Sequence, residues 1–165
     1  MKTLMLAAGL ALASTAAFAQ SSPADFAAMA ASGGMFEIES SQAILKDGTQ
    51  NADVKAFAEQ MIKDHEQAAA ELKAAAAKSN VPVPTALAPK DATRLKNLTE
   101  AKGDKTAVYV TEQREAHNDA VTLHRAYAES GTDANLKAYA QKVVPILEQH
   151  AQHADMLAGE VKAAK

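Results

Sequence analysis

Apolar residues recur along this chain at alternating steps of three and four, the spacing that gathers them on one face of an α-helix at roughly 100° per residue. In the stretch from Val54 to Leu72, the positions Val54, Ala58, Met61, His65, Ala69 and Leu72 share one narrow arc, whereas Lys55, Glu59, Lys63, Glu66 and Gln67 fall outside it. A histidine thus sits in the middle of an apolar face. Three more stretches repeat the arrangement. One inward arc reads Phe26, Ala30, Gly33, Glu37, Ser40 and Ile44. A broader face carries Tyr109, Val110, Gln113, His117, Ala120, Val121, His124 and Tyr127. The last arc runs Leu136, Ala140, Val143, Leu147, His150, Ala154, Leu157 and Val161.

Start and stop signals bound these four helices. Ser22-Pro23 with Asp25 in the first turn opens the first, which runs to about Lys46; Asn51 and Asp53 open the second, which runs to about Ser79. The third starts near Asp104 and ends at Ser130-Gly131, and Thr132-Asp133 caps the fourth. Residues 80–103 are the longest connection, a V-P-V-P-T-A-L-A-P segment followed by a short amphipathic pattern. Extended chain at roughly 3.1 Å per residue plus three helical turns reaches about 40 Å, a bundle length, so the second and third long helices run parallel. The pattern predicts an all-α four-helix bundle with a long crossover that contains a short helix. Two oddities stand out. Gly33-Gly34 costs roughly 1 kcal/mol per residue inside a helix, which fits clearance for a neighbouring backbone or ligand, or a kink. Pro145, on the outer face of the last helix, should kink it and free the carbonyl of Gln141.

Composition narrows the class. With 165 residues, 48% of them hydrophobic, and only 7 glycines, the chain suits one close-packed helical domain. Its first residues give a lysine, an apolar run from Leu4 to Ala13 too short to span a bilayer, and Ala17-Phe18-Ala19. That is the pattern of a signal peptide over residues 1–19, cleaved to leave a domain at 20–165 in the periplasm. Loss of Lys2 takes 17 basic residues to 16 against 20 acidic ones, a net charge of −4 that argues against nucleic acid as a partner. No later stretch is apolar enough to span a membrane, and no protein partner can be read. There is no cysteine, which excludes disulfides, thiolate ligands and covalent c-type haem.

The chemistry lies in four residues. Glu37, His65, His117 and His150 each face inward within about a turn of a helix centre, so packing brings them to one level whatever the helix directions. Three imidazoles and a carboxylate are the donor set of a borderline divalent ion such as zinc, copper or iron, and bundle cores build such sites. His153, one turn beyond His150, is a candidate auxiliary ligand, and His124 an extra ligand or supporting group. Two alternatives remain open. One is a buried Glu–His network that only fixes packing, in an envelope interaction or stress protein working through its outer faces. The other is non-covalent haem between two histidines. Met29, Met35, Met61 and Met156 read as core filling. No nucleophile–base pairing or glycine-rich phosphate loop can be read, so a hydrolase or a kinase finds no support and any catalysed reaction stays open.

G-G-M-F-E-I-E in the first helix, F-A-E-Q-M-I-K-D-H in the second, the Tyr109-to-His117 spacing, and L-K-A-Y-A-Q-K-V-V-P-I-L-E-Q-H in the last carry a likeness over residues 26–157. On these motifs the chain resembles the exported bacterial domain of unknown function numbered four-one-four-two. The resemblance implies a ferritin-like four-helix fold with a long second connection and no established activity. Its members are often labelled outer-membrane proteins, and Glu37, His65, His117 and His150 match positions it tends to keep. The chain departs from the family pattern at Lys105-Thr106 and Ala116. It also lacks the E-x-x-H of di-iron ferritins, since Ile62 and Leu147 stand three residues before His65 and His150.

Overall fold

The computed structural model describes residues 21–163; the expected leader over residues 1–19, its expected cleavage site and Gln20 lie outside them. The described residues form an all-α helical bundle of five helices: α1 (Pro23–Asp47), α2 (Ala52–Lys78), α3 (Pro89–Glu100), α4 (Thr106–Ser130) and α5 (Ala134–Ala163). The punctuation read from sequence explains most of the boundaries. Ser22 accepts from the Asp25 amide with Pro23 at the first helical position, and Asn51 Oδ1 accepts from the amides of Asp53 and Val54. Asp133 Oδ1 caps α5 through the Leu136 amide. Gly48 ends α1 in the left-handed region at φ 80°, where a side chain is strained. Pro145 is exposed within a continuous α5.

α1 packs against α2 and α4, and α5 packs against the same two, so the four long helices close a ring. Their directions follow from two apolar clusters. Phe26, Leu72, Tyr127 and Leu136 meet in one, while Ile44, Phe57, Tyr109 and Leu157 meet in the other. α1 therefore runs from the first cluster to the second and α2 returns; α4 runs with α2, and α5 against it. Residues 79–105, with α3, carry the chain back along the bundle.

That return passage is anchored rather than draped. Ser32 of α1 donates to Asp91 Oδ2 and accepts from the Ala88 amide. Arg94 reaches Asp91 at 3.3 Å and Asp119 of α4 at 2.6 Å, and Leu98 is fully buried in the second cluster. An arginine this buried is tolerable because carboxylates surround it.

Two methionines do not fill the core. Met29 is 45% exposed and Met156 61% exposed. Met156 lies about 200° around the helix from the buried Ala154, so its apolar character is overruled by its position. Between the apolar clusters sits a buried polar layer: Glu37, His65, His117 and His150, one residue from each long helix.

Candidate metal centre

The helical period fixes this layer. Each of the four residues lies on the inward arc of its helix, and closing the ring drives all four into one level. The imidazoles of His65, His117 and His150 form a triangle with ring centroids 5.4–5.6 Å apart. One nitrogen from each lies within 4.8 Å of the others, and such a group can hold a metal ion. An ion with Zn–N bonds of about 2.0–2.1 Å sets its nitrogens roughly 3.4 Å apart, so small rotamer adjustments complete the contraction.

The outer nitrogen of every ring is held by an acceptor. His65 Nδ1 donates to Glu37 Oε2 at 3.0 Å, His117 Nδ1 to the Gln113 carbonyl at 2.8 Å, and His150 Nε2 to Asp64 Oδ2 at 2.9 Å. Carboxylates and carbonyls only accept at these positions, so each outer nitrogen carries the proton and each inner nitrogen is left to bind something else. This is the arrangement by which outer partners fix the tautomer and raise the basicity of metal-bound histidine. The inner nitrogens, His65 Nε2, His117 Nε2 and His150 Nδ1, are buried and have no hydrogen-bond partner; neither does Glu37 Oε1.

Electrostatics divides the four. Burial alone would raise the Glu37 pKa, but the neighbouring His65 and His117, with the His65 hydrogen bond, outweigh it and hold the carboxyl down at about 2. For His65, burial is outweighed by the charge and hydrogen bond of Glu37, and its pKa is raised. Burial and the like charges of its neighbours push His150 down to about 4, and burial likewise lowers His117. The layer thus sets a carboxyl held low and a His65 imidazole pushed towards its charged form beside two imidazoles pushed towards the neutral one.

The other candidate positions lie elsewhere. Glu37 sits beside the triangle, hydrogen-bonded to His65 with Oε1 3.6 Å from His117 Nε2. His153 is half-buried with its ring edge-on to Phe57 at 4.9 Å, outside the three-histidine group. His124 packs against Phe26 and Tyr139, two turns from His117. Asp64 was not a candidate from sequence. It lies one residue off the inward arc, and only its adjacency to His65 in K-D-H hints at a role.

The model of the family described as a domain of unknown function (DUF4142) matches residues 7–157. The chain belongs to this family. No curated protein and no solved structure matches it. Within this DUF4142 chain, no helix among the described residues is long and apolar enough to cross a membrane.

Proposed function

We propose that the protein is an exported, ferritin-like four-helix bundle, with α3 in a crossover connection, that holds one divalent metal ion on His65, His117 and His150. Zinc, copper and iron all suit three imidazole donors. Glu37, Asp64 and the Gln113 carbonyl orient the ligands, and three protein donors leave a further coordination position for a small exogenous group. The leader pattern of residues 1–19 supports export to the periplasm.

One observation carries the reading: four buried polar atoms, one from each long helix, lack partners at a single level. Each unsatisfied buried group costs about 1–3 kcal/mol, so a network serving packing alone would pair them. A cation on the three nitrogens removes most of that deficit. The test is cobalt(II) titration of chelator-stripped protein, read by the visible bands of a four-coordinate ion. Wild type should saturate near one ion per chain, and His65→Ala, His117→Ala and His150→Ala should each abolish the bands while circular dichroism stays helical. Undiminished cobalt binding in folded variants contradicts the assignment.

A further inference from the structure

A second site adjoins the histidine triangle, with His65 in both walls, and needs no metal there. A cavity of about 850 Å³ opens between α1, α2, α4 and α5 beneath the α2–α3 linker, with Glu37 and His65 at one side and His124 and Tyr139 at another. Its size is that of pockets that enclose small molecules, about 300–1,000 Å³. Leu72, Val143 and Leu147 supply apolar wall, and the exposed Met29 lines it, which gives that methionine a place other than the core.

Gly33 and Gly34 line the same cavity. A Cβ built on either would meet nothing within 4 Å, so neither glycine is required for close approach of a neighbouring backbone. Two helix-interior glycines cost about 1 kcal/mol each against alanine, and what they keep is open volume.

Two buried polar groups give that volume a chemistry. His124 is 4% exposed; its Nδ1 donates to the Ala120 carbonyl at 2.8 Å, leaving Nε2 as an acceptor with no partner. Tyr139 is 8% exposed, its ring lies 5.9 Å from His124, and its hydroxyl makes no hydrogen bond to any described residue. One group needs a donor and the other offers one. Of the cationic side chains on the wall, Arg94 is engaged by Asp91, Glu112 and Asp119 and Lys90 by Asp119, Lys73 is solvent-exposed, and the buried Glu37 adds a negative charge that disfavours an anionic head inside.

We propose that this cavity binds an apolar molecule carrying one neutral hydroxyl, a hydrophobic alcohol or phenol. Its O–H donates to His124 Nε2, its oxygen accepts from the Tyr139 hydroxyl, and its body fills the space kept by Gly33 and Gly34.

Isothermal titration of metal-stripped full protein with 2-naphthol, 2-methoxynaphthalene and 2-naphthoate tests the match. The first can donate a hydrogen bond, the second cannot, and the third is an anion of similar size. Saturable binding of 2-naphthol is expected, about tenfold or more tighter than either analogue, the worth of one hydrogen bond. His124→Phe should erase that preference while the apolar body still binds. Gly33→Leu, which grows into open space, should abolish binding of all three without loss of helical signal or melting temperature. No saturable binding, equal affinities, tighter binding of the naphthoate, or unchanged binding in Gly33→Leu each overturns the proposal.

Discussion

Asp64→Asn separates a tuned metal centre from a cluster that merely packs. Asp64 lies outside the triangle with its side chain 22% exposed, and it touches the site only by accepting from His150 Nε2 at 2.9 Å. Asparagine keeps the shape and can still present an oxygen, so the bond survives in neutral form while the charge that makes His150 Nδ1 more basic is lost. A hydrogen bond to a charged group contributes about 1.5–3 kcal/mol and a neutral one about 0.5–1.5. The difference, roughly 1–1.5 kcal/mol, is about a tenfold loss of metal affinity, the lower end of what outer-partner substitutions cost. Competition for zinc against a chromophoric chelator at fixed neutral pH reads it directly. In the metal-free protein, urea unfolding should show a change of no more than about 1 kcal/mol, because the pair is partly in solvent. Metal affinity equal to wild type would refute the claim that Asp64 tunes the ligand.

The metal-free protein should be most stable near pH 6.5. Below that value the unfolded chain takes up protons that the depressed His150 and His117 refuse; His150 alone, moved from 6.5 to about 4, removes roughly 3 kcal/mol by pH 4. Glu37 adds to the loss as pH falls from 4.5 towards 2. Above pH 6.5 the raised pKa of His65 acts in the opposite sense, since the stability its proton confers is lost as pH rises through the folded-state value. Chemical denaturation across pH checks the curve, and His150→Gln should flatten its acid limb. Ser32→Ala leaves the buried Asp91 oxygen and the Ala88 amide without their shared partner and should cost about 1–3 kcal/mol, with earlier proteolysis of residues 81–88. Leu98→Ala empties a fully buried position in the second cluster and should cost about 2–5 kcal/mol in the same denaturation assay.

The helices and the depth of the polar layer were legible because periodicity is a local property. Ser22, Asn51 and Asp133 are caps whose side chains bond two or three residues ahead, and the arcs through Glu37, His65, His117 and His150 need only the pitch of one helix each. What lay between helices was not legible. Asp64 joins His150 across 86 positions, and nothing on its own helix marks it as inward. Ser32 and Asp91 likewise meet across 59 positions, so the anchoring of α3 follows from packing rather than pattern. Gly33-Gly34 shows the same boundary. Sequence indicated unusual space in α1, and only the packed neighbours show that this space is a cavity rather than a backbone crossing. Met29 and Met156 mark the converse error, residue type taken as a guide to burial where helical position decided it.

Elemental analysis of the protein isolated from its native host, without affinity tag or chelator, tests the central claim most directly. The account predicts close to one zinc, copper or iron ion per chain, lost in His117→Ala, a residue whose ring is fully buried and whose Nε2 has no other partner. A folded, fully helical protein with no stoichiometric metal, or one whose metal survives His117→Ala, would contradict it and leave the buried Glu–His layer with a structural role alone.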